Sequence, residues 1–170
     1  MKRATHVSMG AAVALPSALT LTPPAAAGAI FLGMAGAVIP DYADLRSDIR
    51  RVLRHRGVSH SILFAGAAVA LLYAILNALT RVDDSRFQLD SRLVPTLLLA
   101  FGLGIGSHLL LDAATPSGIR PFLPIWGARL RVLPPGMRVS TGGPIDGLIH
   151  TVTSLIVTLG LLYLVYERLR

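Results

Sequence analysis

Three long apolar stretches constrain this chain more than anything else in it: Ser59–Leu79, Leu93–Ala114 and Ile145–Tyr166. Each runs about twenty residues, which at about 1.5 Å per residue matches a hydrocarbon core about 30 Å thick. Inside such a slab the backbone must satisfy its own hydrogen bonds, so each stretch is expected to be a helix. Composition points the same way: of 170 residues 53% are hydrophobic and 15% charged, against about 25% charged in soluble domains. The region from Val7 to Ile39 is also apolar, but Pro16 and Pro23-Pro24 interrupt it. It reads as two short helices with a tight turn near Thr22. The expected fold class is all-α, a polytopic membrane bundle of about five transmembrane helices with a Pro-rich interfacial loop. Residues 1–170 form a single membrane-embedded domain on this reading.

The amino-terminal region has a competing reading. Lys2-Arg3, the apolar run and Ala25-Ala26-Ala27 resemble a secretory signal with a small-residue cleavage site. His6, Pro16, Ser17 and Thr20 interrupt that apolar core, and another apolar segment follows it. Cleavage would remove His6 from any site.

The connecting segments differ in character. In Asp41–Val58, Arg46, Arg50 and Arg54 stand at helical spacing beside Asp44 and Asp48, which predicts a short surface helix with i,i+4 pairs. Thr115–Pro144 is long and Pro-rich and groups Phe122, Leu123, Ile125 and Trp126. Such a segment is expected to lie at the bilayer interface, with Trp126 as its anchor. The formal net charge of +7 fits juxtamembrane arginines that face anionic lipid. No basic run is interleaved with aromatics, so no nucleic-acid partner is expected.

Counting crossings from the amino terminus puts the 41–58 and 115–144 segments on the same side as that terminus. Most of the sixteen Lys and Arg residues fall there, which makes this side the expected cytoplasmic face. All five histidines fall there too. His6 opens the first helix, His55 and His60 lead into the third, His108 lies a turn before the end of the fourth, and His150 a turn into the fifth. Asp41, Asp44, Asp112 and Asp146 join them, whereas Asp83, Asp84 and Asp90 lie opposite. Ionisable groups at membrane depth are costly and mark functional sites.

Spacing adds detail. His108 and Asp112 are i,i+4 and share one helix face, and Asp146 and His150 repeat that spacing in reverse order. With His60 and the Asp41/Asp44 pair, these groups offer ligands for one or more zinc-like ions, and spacing leaves open which carboxylate binds directly. The chain has no cysteine, so any metal takes nitrogen and oxygen ligands. Ser59 is expected to cap the third span, turning that helix's positive end toward an anionic substrate.

The pieces Ile39-Pro40-Asp41-Tyr42-Ala43-Asp44, His55-Arg56-Gly57-Val58-Ser59-His60-Ser61 and His108-Leu109-Leu110-Leu111-Asp112 occur in that order. They resemble the motifs of the YdjM-like family of membrane-bound metal-dependent hydrolases, over a region from His6 to about Pro124. That family is in turn distantly similar to the zinc-dependent phospholipase C and P1 nuclease group. The resemblance implies an all-helical metal site of His6, Asp41, His60, His108 and Asp112, and hydrolysis of a phosphoester. The chain departs from the secreted enzymes in lacking their amino-terminal Trp ligand and a clear late Glu ligand. Asp146 and His150 are the candidates, from spacing, to stand in for the later ligands.

The expected function is thus a membrane-bound hydrolase of the inner membrane, with its site at the cytoplasmic face and a divalent metal, zinc, as cofactor. The metal would acidify water, Asp41 or Asp44 would act as general base, and Arg56 would hold an anionic group bidentately. Expected partners are membrane lipid and a small anionic or lipid substrate. His55, Asp146 and His150 are additional candidates for metal or substrate. The alternative is a non-enzymatic transporter or sensor of metal ions or protons, since intramembrane His and Asp also build relays. A transport pathway needs such groups near the midplane, and the middles of the last three spans carry no charge.

Overall fold

The computed structural model describes residues 1–44, 57–82 and 88–170. Within them the chain forms five α-helices: α1 (Arg3–Ala18), α2 (Pro23–Ala43), α3 (Ile62–Leu79), α4 (Val94–Ala113) and α5 (Pro144–Leu169). The described residues form no extended strand, only one isolated antiparallel bridge between Ile119 and Leu130. Four helical segments are long and apolar enough to cross a membrane: Pro23–Ala43, Ile62–Leu79, Ser91–Ala113 and Pro144–Leu169. Helix α1 has 16 residues, or about 24 Å of rise, and is shorter than a full crossing. The expected surface helix carrying Arg46, Arg50 and Arg54 lies outside the described residues.

The prolines begin helices more often than they break them. Pro23 and Pro24 fill the first positions of α2, where a missing N–H costs nothing, and Pro144 opens α5 in the same way. Pro16 and Pro40 lie inside α1 and α2, each near the end of its helix. The turn between these helices ends at Thr22, whose carbonyl accepts from Ala26 N at 2.8 Å. Helix α3 is capped by Ser61, not Ser59: the Ser61 hydroxyl accepts from Phe64 N at 3.1 Å. Ser59 and His60 lie in the single 3₁₀ turn just before it.

Helices α1, α2 and α4 pack against one another as a core trio, with α3 laid on α4 and α5 on α1. Lipid tails give no hydrophobic drive for helix association, so close contact between small residues has to supply the attraction. Gly10, Gly33 and Gly104 meet where the three helices cross. A methyl group on any of them would press into the backbone of the next helix. Ala14, Ala18, Ala29, Ala37 and Ala100 are fully enclosed around this crossing. By contrast, Leu71, Tyr73 and Ile75 of α3 and Leu155, Leu159 and Leu162 of α5 are exposed. Apolar faces of this extent require lipid around them.

A polar seam fixes α5 to α1. Thr5 Oγ1 donates to Asp146 Oδ1 at 2.7 Å, and Ser8 and Thr153 share a hydrogen bond of 2.7 Å. Further along, Gly160 admits the Leu15 side chain against the α5 backbone. The trio, with α3 beside it, therefore sets the relative positions of the histidines at one end of the bundle.

Candidate metal centre

Four segments deliver the central side chains. His6 comes from the second turn of α1, Asp41 from the last turn of α2, His60 from the 3₁₀ turn before α3, and His108 with Asp112 from the last turns of α4. All five converge. His108 Nε2 and His60 Nε2 lie 3.1 Å apart. Asp112 Oδ2 is 3.5 Å from His60 Nε2 and 3.9 Å from His108 Nε2, while Asp112 Oδ1 is 3.4 Å from His6 Nε2. Asp41 Oδ1 is 3.6 Å from His60 Nε2 and 3.8 Å from His108 Nε2. Two overlapping groups result, His6/His108/Asp112 and Asp41/His60/His108.

These separations fit a shared cation. Ligands about 2.05 Å from a tetrahedral zinc stand about 3.3 Å from one another, and the distances here cluster around that value. Each of two rings is also held by its other nitrogen. His108 Nδ1 donates to the Ala37 carbonyl of α2 at 2.6 Å, leaving the Nε2 lone pair for the centre. His60 Nδ1 donates to Ser59 Oγ at 2.9 Å, and Ser59 Oγ donates to Asp44 Oδ1 at 2.5 Å. Outer partners of this kind fix the tautomer and aim of metal-binding histidines. Because its Nδ1 is engaged, His108 has one lone pair to give, so the two overlapping groups describe a single ion better than a pair.

Burial sharpens the picture. The side chains of His6, His60, His108 and Asp112 are at most 2% exposed, whereas Asp41 is 20% exposed. Among the described residues, Asp41 is thus the accessible member of the cluster. Beside it the exposed ring of Tyr42 carries the Arg3 guanidinium 4.7 Å above its centroid. The His6 ring stacks on His108 with centroids 4.0 Å apart. Its Nδ1 is the buried side-chain atom without a hydrogen-bond partner among the described residues, a state that costs about 1–3 kcal/mol. The Met1 amino group donates to Asp112 Oδ1 at 2.9 Å. Burial opposes the charged form of His60, but its hydrogen bonds to Asp112 and Asp41 outweigh it and hold its pKa above the ordinary value.

Several expectations need correction. Asp146 and His150 lie on the α1–α5 seam and belong to neither ligand group. Asp146 is saturated by Thr5 Oγ1, Lys2 N at 3.2 Å and Gly142 N at 2.6 Å, so it closes the amino-terminal end of α1 and the preceding loop. His150 Nδ1 meets Ser8 Oγ at 3.1 Å and Ser154 Oγ at 3.4 Å. Two first-turn donors of α3 are engaged within the protein, Ile62 N by the Pro121 carbonyl and Phe64 N by Ser61. Asp44 stands behind His60 on its Nδ1 side, 3.8 Å from that nitrogen. Ser59 and the Ala37 carbonyl were not foreseen as partners of the site. The serine next to His60 was the available signal, whereas a backbone carbonyl leaves no trace in a sequence. His55 and Arg56 lie outside the described residues.

No curated protein and no solved structure matches the chain. The profile of the YdjM inner membrane protein family matches residues 1–168, which takes in every residue of the cluster described above. With nearly the whole chain covered and the helices those of a membrane bundle, this protein belongs to the YdjM inner membrane protein family.

Proposed function

We propose that the chain is a metal-dependent phosphoesterase that acts on a lipid or amphiphilic substrate at the cytoplasmic face of the inner membrane. The observation that carries this reading is the convergence of three imidazoles and two carboxylates at one end of the bundle, 3.1–3.9 Å apart. His6, His60, His108 and Asp112 would hold the ion, and the nitrogen-rich donor set favours zinc. When bound, a divalent cation supplies Lewis acidity, acidifying water and polarising a phosphoryl oxygen.

The residues of the chain do the rest. Asp41, the most accessible carboxylate of the cluster, takes a proton from the attacking water as its oxygen bonds to phosphorus. The bond from phosphorus to the leaving alcohol breaks, its electron pair stays on that oxygen, and the proton held by Asp41 passes to it. The products are an alcohol and a phosphate monoester or phosphate. Asp44 acts through Ser59 to aim His60, as a positioning residue. Arg3 at the rim, over Tyr42, brings positive charge to the anionic substrate. A fixed, one-sided centre with two ring nitrogens tied down suits chemistry better than a transport path, which needs sites along the membrane axis.

Metal analysis of the purified protein, combined with a phosphodiester panel, tests this. Wild type should carry one equivalent of zinc and hydrolyse at least one phosphodiester. His108→Ala and Asp112→Ala should lose the metal, while Asp41→Asn should keep it and lose about 100-fold or more in kcat. Stoichiometric metal in His108→Ala, or unchanged turnover in Asp41→Asn, would overturn the assignment.

A further inference from the structure

Beside the metal centre lies an apolar groove of about 400 Å³, formed by Ile62 and Leu63 on the first turn of α3 and by Pro121, Phe122, Ile125 and Trp126 opposite. The two walls are joined by the hydrogen bond from Ile62 N to the Pro121 carbonyl, at 2.8 Å. Ile62 follows His60 by two residues, so the groove begins within about 7 Å of a ligand along the backbone. Phe122 and Trp126 stack with centroids 5.8 Å apart, which holds the second wall in shape.

The groove opens outward. Ile125 is 91% exposed and Trp126 61%, and Ile62 and Leu63 are exposed as well. Beyond it the same face of α3 continues with Gly66, Ala70 and Tyr73, all exposed. The surrounding segment, 115–143, carries Arg120, Arg129, Arg131 and Arg138 and no acidic residue. Hydrogen bonds from Val132 N to the Ala113 carbonyl and from Val139 N to the Ala114 carbonyl tie it to the end of α4, which fixes it at the level where a span meets the headgroups. An apolar slot continuous with the hydrocarbon and fringed by cations complements a phospholipid, with its chain below and its phosphate above.

Resting on the phosphoesterase reading, we infer that this groove seats one acyl chain of a phospholipid substrate and so delivers its phosphoryl group to the His/Asp centre. The substrate class is then a long-chain anionic phospholipid taken from the surrounding leaflet, not a soluble phosphoester. The chain supplies binding energy remote from the reacting phosphorus, which serves catalysis by orienting it.

Trp126 is the single tryptophan of the chain and lines the groove, so its fluorescence reports occupancy directly. Full-length protein in detergent micelles is titrated with phosphatidylglycerol brominated on its acyl chains. Quenching should saturate, be reversed by the same lipid without bromine, and lose saturation in Leu63→Glu while bound zinc is unchanged. Ile125→Ser, at a site with little packing to disturb, should weaken binding several-fold and serves if Leu63→Glu fails to fold. Zinc-loaded wild type should cleave long-chain phosphatidylglycerol with kcat/KM about tenfold or more above a dihexanoyl analogue. Leu63→Glu should erase that preference. Quenching that merely tracks bulk lipid and is equal in both variants overturns the groove assignment, as does equal cleavage of long and short chains. A dimer whose formation blocks quenching would place a second copy there and overturn it too. If no phosphoester is cleaved but quenching saturates, the phosphoesterase reading fails instead.

Discussion

The substitution Gly104→Ala tests whether the helix crossing sets the geometry of the metal centre. A Cβ at Gly104 would push into the Gly33 carbonyl and lie 3.0 Å from Ala37 N. Comfortable carbon contacts are about 3.5–4.0 Å, and the obstacle is backbone, so α2 and α4 must separate by about 1 Å. Overpacking of this kind costs about 1–3 kcal/mol, partly offset by the helix-propensity gain of alanine over glycine, about 1 kcal/mol. Stability therefore changes modestly. The centre is far less tolerant, because metal–ligand distances hold within about 0.2 Å. The displaced residues include Ala37, whose carbonyl aims His108, and His108 itself lies one turn beyond Gly104. Loss of an outer partner costs about 10–100-fold in metal affinity, and that range is expected here. The assay is zinc competition against a chromophoric chelator, alongside thermal melting. Gly106→Ala, with nothing within 4 Å of its Cβ, and Gly102→Ala, whose nearest neighbour is Val69 at 4.0 Å, are the controls and should bind zinc like wild type. Equal affinity in Gly104→Ala and Gly106→Ala would refute the reasoning.

Three other outcomes follow from the geometry. Ser59→Ala breaks the link between Asp44 and His60 and should lower zinc affinity about 10–100-fold with little change in melting temperature; chelator competition decides. Asp146→Asn leaves partners of a buried carboxylate poorly matched and should destabilise by about 1–3 kcal/mol while zinc affinity per folded molecule stays the same. A loss of affinity there would return Asp146 to the metal site. In metal-free protein, the raised pKa of His60 means that its proton stabilises the fold fully below the ordinary value of 6.5 and progressively less as pH rises through the raised value. Melting temperature should fall across that window, and the His60→Gln variant should lack this slope.

Much of the site could be read from the chain because helical spacing carries it. His108 and Asp112, four residues apart in a span, had to share a face, and the crossing count placed His6, Asp41 and His60 at the same end. Spacing does not say which helix that face meets. Asp146 and His150 have the same separation as His108 and Asp112, yet α5 docks on the outside of α1, and their partners are Thr5 and Ser8. The glycines show the same limit. Gly102, Gly104 and Gly106 stand at two-residue steps on one span, yet Gly104 enters the crossing while Gly102 and Gly106 turn away from it. Gly10 carries part of it from α1, and nothing in the surrounding run marks it. The capping of α3 slipped by two residues because Ser59 and Ser61 flank His60, and either could have started the helix.

The order in which the ligands occur along the chain has a consequence for assembly. The last of them, Asp112, precedes α5 by some thirty residues. Chains fold from the amino-terminal side as they are made, so the cation could be captured while the ribosome is still extending the fifth helix. That helix would then arrive on a finished centre, latching onto α1 through Asp146 and Thr5. A nascent chain halted after the 115–143 segment should accordingly already retain zinc.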